Sequence, residues 1–367
     1  MDRIGETVLE IHLDALAHNY NYLKSKLLPE TKFMAVVKAF AYGSDMVTIA
    51  KKMENLGADY FAVAYVKEGV LLREAGITTP ILVLHPLPVN FEQLIAHQLE
   101  PSLYSPKILT EFLKTAQENN LEDYPVHIKF NTGLNRLGFW ENDVDHISKQ
   151  LQNRNEIKVT AILSHLAASE DPNEKKFSDT QIETFKKISA ALDEKLGYRP
   201  FRHVLNTSGI INYPDAQFEM VRSGIGLYGY GNSADEDVHL RPVAQLKTII
   251  SQLHKIEPGE TVGYNRAFSA NTPRTSATLP LGHADGIGRQ YGHGKGHVLV
   301  KGQKAPIIGN VCMDMIMVDV TGIDCAEGDE ALVFGAEHSA DTFASSGQTI
   351  SYEILTAISQ RIRRTIK

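Results

Sequence analysis

The chain has 367 residues, long for one domain and comfortable for two, and its 43% hydrophobic and 22% charged residues suit a soluble protein with a substantial core. A net charge of −7 without a basic block excludes a nucleic-acid backbone as natural partner, and no apolar run is long enough to span a membrane. Cys312 and Cys325 build no disulfide framework and lack metal-ligand spacing, so no metal is expected; the first twenty residues carry Asp2, Glu6, Glu10 and Asp14 but no apolar h-region, which predicts no signal peptide and a cytoplasmic protein.

Leu13, Leu16, Tyr20, Leu23 and Leu27 recur at helical spacing, which predicts an amphipathic helix before the first strand. Next, Phe33-Met34-Ala35-Val36-Val37 runs directly into Lys38, and a glycine turn follows at Gly43. A short continuous apolar run reads as a strand buried on both faces. Ser44 and Asp45 then open a helical segment, so Lys38 stands at the C-terminal end of the strand. Desolvation there lowers a lysine's pKa and frees its amine as nucleophile or base; the alternative is a lysine that snorkels to water.

Further strands are expected near 60–65, 81–85, 101–104, 125–130, 159–165, 203–206 and 219–223, with helical patterns between them. Gly76 ends one helix and Ser105-Pro106 starts another. Eight strands alternating with helices is the count of a (β/α)8 TIM barrel. From about Arg241 the texture changes to β-rich segments separated by glycine turns: 248–250, 277–279, 297–300 and 316–320. A helical pattern returns only at Tyr352–Arg364. The fold class is therefore α/β, with an N-terminal (β/α)8 barrel over 1–240 and a mostly-β C-terminal domain over 241–367.

In such a barrel the residues just past each strand share one rim: Lys38, Lys129, Arg136, His165, Asn206, Thr207, Arg222, Gly224 and Ile225. That rim suits a phosphorylated aromatic cofactor. Hydroxyls and backbone N–H groups hold phosphate, an imidazole packs on a flat ring, and arginines donate to its heteroatoms.

The stretch Ala35-Val36-Val37-Lys38-Ala39-Phe40-Ala41-Tyr42-Gly43 resembles the pyridoxal-phosphate attachment signature of the alanine racemase family, with Phe40 where the family usually has Asn. The resemblance implies that Lys38 carries the cofactor covalently and that Tyr42 helps hold its phosphate. It recurs, in family order, over nearly the whole chain. Val126 to Gly138 resembles the segment whose arginine, here Arg136, contacts the cofactor's phenolic oxygen, and whose lysine, here Lys129, is carbamylated in many members. Ser164-His165-Leu166-Ala167 resembles the segment whose histidine packs on the pyridine ring. His203 to Gly209 resembles the phosphate-side loop with Asn206 and Thr207, the latter standing for the usual Ser. Val221 to Gly229 resembles the segment whose arginine, here Arg222, faces the pyridine nitrogen, and whose Gly224 and Ile225 amides bind phosphate. In the second domain, Val262-Gly263-Tyr264 resembles the segment of the second catalytic base. Gly309 to Asp314 resembles the substrate-carboxylate segment with Met313 and Asp314, and Ile350 to Glu353 the phosphate-side Tyr352.

The resemblance thus implies two bases, Lys38 and Tyr264, serving opposite faces of alanine on pyridoxal phosphate, and D-alanine made for peptidoglycan. It also implies a head-to-tail homodimer whose second domains complete each other's sites. Taken singly, each residue has a plainer reading: Lys129 a solvated strand-end lysine, His165 a core histidine, Asn206 a turn residue, Tyr264 a packing residue. The ordered set outweighs these. Three departures bear on access and substrate preference: Asn131 for an acid, Asn310 for an arginine and His283 for a tyrosine. The rivals are a broader-specificity amino-acid racemase and a non-catalytic pyridoxal-phosphate-binding homeostasis protein. The latter is built from the barrel alone, without the second domain.

Overall fold

The computed structural model describes residues 5–367. Strand β1 (Val8–Ile11) comes first and the helix Leu13–Lys24 follows it. Eight strands then alternate with helices: β2 (Lys32–Val36), β3 (Tyr60–Val63), β4 (Ile81–Val83), β5 (Glu100–Leu103), β6 (Tyr124–Lys129), β7 (Ile157–Leu163), β8 (Phe201–His203) and β9 (Met220–Ser223). Their order is β8-β7-β6-β5-β4-β3-β2-β9, and every hydrogen-bonded pair is parallel. The two ends of that order meet where the Arg222 N–H donates to Leu205 O at 3.1 Å, which closes the sheet into the barrel.

A strand packed between a barrel interior and an outer helix is apolar on both faces. Phe33 to Val37, Phe61 to Val63 and Ile81 to Val83 are accordingly all buried. The outer helices obey the same bookkeeping on one face only. Over Pro106–Glu118, Ser105 caps the first turn by accepting from the Ile108 N–H at 3.3 Å, and Ile108, Leu109, Phe112, Leu113 and Ala116 turn inward. Each such large side chain contributes about 1.5–3 kcal/mol by leaving water. No helix among the described residues is long and apolar enough to cross a membrane.

The second unit holds β10 (Ala244–Ile249), β11 (Gln252–Ile256), β12 (Thr261–Val262), β13 (Phe268–Ser269), β14 (Arg274–Leu279), β15 (His297–Val300), β16 (Gln303–Ile308), β17 (Ile316–Asp319), β18 (Glu330–Phe334) and β19 (Arg363–Ile366). Nine strands form one sheet in the order β11-β14-β17-β16-β15-β18-β10-β1-β19. Here the structure differs from a division of the chain at residue 240. β1 pairs antiparallel with β10 and parallel with β19, so this sheet takes its strands from both ends of the chain. A pairing that distant leaves no local pattern. The helical pattern over 352–364 is also cut short: the helix is Ser351–Ala357, and the last residues become β19 because β1 offers them a ladder.

The join between the units rests on Asn19, which is fully buried on the inward face of the helix Leu13–Lys24. Its Oδ1 accepts from the Arg241 N–H at 2.8 Å, and its Nδ2 donates to Leu227 O at 3.1 Å and Arg241 O at 2.8 Å. Each buried backbone group left without such a partner would cost about 1–3 kcal/mol, so one amide fixes the course of the connecting chain.

Candidate functional site

The C-terminal rim of the barrel opens into a cavity of about 670 Å³, within the usual range for a cofactor site. Lys38, Tyr42, Lys129, Arg136, His165, Asn206, Thr207, Arg222, Gly224, Ile225 and Tyr352 all line it. Tyr264, Met313 and Asp314 do not. Tyr264 and Met313 stand on the second unit with 73% and 59% of their surface exposed, and Asp314 pairs there with Arg361 at 2.6 Å.

Lys38 enters the cavity from an unusual backbone. Ala39, Phe40, Ala41 and Tyr42 all have φ between 53° and 54°, a left-handed turn made of four non-glycine residues. That geometry costs about 1–2 kcal/mol per residue, because Cβ crowds the following carbonyl oxygen. Three bonds hold it. Ala39 N–H donates to Glu68 Oε1 at 2.6 Å, Ala41 N–H to Val37 O at 2.9 Å, and Gly43 N–H to Ala39 O at 2.8 Å. Gly43 itself has φ 79°, and a Cβ there would stand 2.0 Å from Leu355 O, so glycine lets the helix bearing Tyr352 dock on the turn. Arg364 completes the joint by donating to Gly43 O and Ile358 O, each at 2.9 Å.

At one end of the cavity Tyr42 reaches under Gly224, where a Cβ would stand 2.2 Å from its hydroxyl oxygen. The N–H groups of Gly224 and Ile225, at the start of the turn Ile225–Tyr228, find no acceptor among the described residues. Thr207 Oγ1 lies 3.0 Å from Ser223 Oγ, and the Gly226 N–H donates to it at 3.3 Å. Burial pushes the Tyr352 phenol up to about 12 and the Tyr42 phenol higher still, so both keep their protons and remain donors. Convergent donors without a carboxylate suit a phosphate dianion.

At the other end four cations share the wall: Lys38, Lys129, Arg136 and Arg222. Burial first, then Arg136, Arg222 and Lys38, bring the Lys129 amine down to about 8. Burial and Arg136 lower Lys38 as well, while Glu68 opposes them. Burial and the same cations hold His165 neutral, well below the ordinary imidazole value. Arg222 spends four donors on the barrel. Nη1 reaches His203 Nδ1 (2.7 Å) and His203 O (2.8 Å); Nη2 reaches Ser164 O (2.7 Å) and Val204 O (3.2 Å), with His165 Nδ1 at 3.3 Å. Its Nε–H has no protein acceptor among the described residues and is the donor left for a ligand. No group of three or more metal-ligating side chains occurs among the described residues.

Two of the sequence departures acquire a local reason. Asn131 Oδ1 accepts from the Gly133 and Asn135 N–H groups at 3.1 and 2.9 Å, as a carboxylate would, but its Nδ2 also donates to Asn135 Oδ1 at 2.8 Å, a bond no carboxylate makes, and together these organise the loop bearing Arg136. Asn310 Oδ1 accepts from Arg289 and His293, each at 3.1 Å, and its Nδ2 donates to Tyr264 O at 3.0 Å. An arginine has no acceptor and would not bridge that way. Sequence reasoning missed Tyr65, Leu84, His85 and Asn232 in the cavity wall. His85 follows β4, so the strand-end rule that found Lys38 would have found it too.

Residues 11–232 match the family description "Alanine racemase, N-terminal domain", and residues 243–366 match "Alanine racemase, C-terminal domain". The alanine racemase of Halothermothrix orenii is 37% identical, over 98% of this chain and 97% of its own. The structure of the alanine racemase of Clostridium difficile 630 superposes with a TM-score of 0.92 at 34% identity, covering 100% of this chain and 97% of that one. That of Bartonella henselae alanine racemase, described with covalently bound pyridoxal phosphate, gives 0.90 at 29% identity over 99% and 100%.

Proposed function

The chain belongs to the alanine racemase family, and from that premise we propose that it interconverts L-alanine and D-alanine as a pyridoxal-phosphate-dependent isomerase of the cytoplasm, supplying D-alanine for peptidoglycan. The observation that carries the reading is the cavity wall, which holds Lys38 and Arg222 among four cations and no carboxylate.

The residues present fit the cofactor. The space over Tyr42 that Gly224 leaves, the Gly224 and Ile225 amides, Thr207, Asn206 and Tyr352 suit its phosphate. Neutral His165 suits the face of its ring, Arg136 the phenolic oxygen, Arg222 Nε–H the ring nitrogen, and the Lys38 amine the aldehyde carbon. Bound there, the cofactor acidifies the Cα–H of an amino acid joined to it.

The chain's own groups do the rest. Lys38 moves the proton on one face of Cα and the Tyr264 phenol moves it on the other. Arg136 and the Met313 N–H hold the substrate carboxylate, with Asp314 beside them. Arg222, brought down to about 10 by burial, is still charged at neutral pH and passes no proton to the ring nitrogen. Weaker electron withdrawal favours return of the proton to Cα over transamination. Tyr264 and Met313 are exposed and lie outside the cavity, which supports a homodimer in which each second domain completes its partner's site.

The purified protein is expected to be yellow, with borohydride fixing a pyridoxyl group on Lys38 and chiral chromatography detecting conversion of either alanine enantiomer. Label on Lys129 instead, or colour without racemisation, defeats the assignment.

Lys129 belongs to the same reading as a carbamate. It is buried, its amine makes no hydrogen bond or ion pair among the described residues, and burial first, then the cations around it, bring it down to about 8. A neutral amine adds through its nitrogen to the carbon of carbon dioxide, one N–H proton passes to solvent, and the carbamate anion would answer Arg136. Protein equilibrated with ¹³C-labelled bicarbonate is expected to show one carbamate resonance that Lys129→Ala removes. Its absence from the wild-type spectrum would refute the modification.

A further inference from the structure

A line of polar side chains crosses the barrel interior, where branched apolar residues are the rule. Glu100 opens β5, His127 lies within β6, His203 ends β8 and Arg222 lies in β9. All four are buried, the two imidazoles completely. Glu100 Oε2 is 2.9 Å from His127 Nε2, His127 Nδ1 is 3.1 Å from His203 Nε2, and His203 Nδ1 is 2.7 Å from Arg222 Nη1.

The hydrogen positions follow by elimination. Guanidinium nitrogens only donate, so His203 Nδ1 must be bare. A neutral His203 then carries its proton on Nε2 and donates to His127, whose Nδ1 must in turn be bare. His127 is left with a proton on Nε2, which points at the Glu100 carboxylate. An imidazolium at His127 would aim a proton at the His203 Nε2–H, and one at His203 would aim a proton at Arg222. Burial and the Arg222 charge independently hold His203 well below the ordinary imidazole value. Every donor along the chain therefore points toward Glu100.

We propose that Glu100, acting through His127 and His203, is a positioning residue for Arg222: it locks both histidines as Nε2–H tautomers and so keeps a bare nitrogen facing the guanidinium. The anchor is one-sided for a physical reason. Glu100 makes no other ion pair among the described residues, and nearby Arg73 is tied to the carbonyls of His97, Ile77, Thr79 and Gln98. Without that acceptor His127 is free to carry its proton on Nδ1. His203 would then be driven to carry its own on Nδ1, against Arg222. Arg222 Nη1 then loses the His203 Nδ1 acceptor and meets a proton there, while His203 O, Ser164 O and Val204 O still hold the group, so the guanidinium tilts and its Nε–H direction shifts. The function of that direction rests on the reading of Arg222 given above; the tautomers do not.

The test is long-range ¹H–¹⁵N correlation on histidine-labelled protein, as purified, with wild type, Glu100→Gln and Glu100→Leu. Wild-type His127 and His203 are each expected to show a protonated Nε2 and a bare Nδ1. A protonated Nδ1 on either, or a doubly protonated His127, overturns the chain without need of a variant. Glu100→Gln, which still presents an oxygen to His127, is expected to keep both tautomers. Glu100→Leu is expected to lose the single tautomer of His203 and to lower kcat for alanine by up to about 100-fold with KM unchanged, since displacing a working group by about 1 Å costs that much. Glu100→Gln recovers most of the loss. A Leu variant with mixed tautomers and undiminished kcat, or a Gln variant as slow as Leu, overturns the positioning role. Wild type with these tautomers but no alanine racemisation would sink the functional reading and leave the chain standing.

Discussion

Tyr264→Phe is expected to slow the interconversion of alanine enantiomers by about 10²–10⁴-fold, the contribution of one well-placed acid–base group. The substitution is clean. Within its own chain Tyr264 is 73% exposed, so removing its hydroxyl empties no core and orphans no buried partner of that chain. Its backbone is held independently: Asn310 donates to Tyr264 O, and the next two residues adopt left-handed φ of 57° and 51°. The variant should therefore melt with the wild type and bind the same cofactor, which confines the loss to proton transfer. Lys38 still serves its own face, so one enantiomer should go on exchanging its α-proton with deuterated solvent while the other falls nearly silent. Proton NMR of each enantiomer in D₂O reads this directly. Equal residual exchange for both would mean that one group reaches both faces, and the two-base scheme would fail.

How much of this was legible in advance depended on distance along the chain. Barrel strands are written locally, as apolar runs such as Phe33 to Val37, because parallel strands bury both faces. Once eight of them are counted, the strand-end residues converge on one rim by topology alone, which is why Lys38, Lys129, His165 and Arg222 can be read from the sequence. What stayed hidden was non-local. β1 gives no sign that its partners are β10 and β19. Ala39 and Ala41 are good right-handed helix formers, so nothing in their identity announces a left-handed turn; Glu68, one helix later, supplies the acceptor that holds it. His127 and His203 sit in strand-like runs where a core histidine is the ordinary reading, and their meaning rests on a carboxylate on the strand next to one and an arginine beside the other. Asn310 looked like a loss of charge and turns out to be a gain of an acceptor.

Mixing two nearly inactive proteins is expected to restore activity. Lys38 and Arg222 belong to the barrel, while Tyr264 and Met313 stand exposed on the second unit and outside the cavity of their own chain. If a two-fold operator pairs two chains head to tail, each second domain serves the other's barrel, and every site draws Lys38 from one chain and Tyr264 from the other. A hybrid of Lys38→Ala with Tyr264→Phe then has one site carrying both lesions and one carrying neither. Dissociating and reassociating an equal mixture at random makes about half the dimers hybrids, each with one intact site in two, so activity should recover to roughly a quarter of wild type. Sites formed within a single chain predict the opposite, because each site would always keep its own lesion and no mixture would exceed its parents. Native mass spectrometry establishes that hybrids are present. Hybrids without recovered activity would show that Tyr264 serves the barrel of its own chain, and the shared site would have to be abandoned.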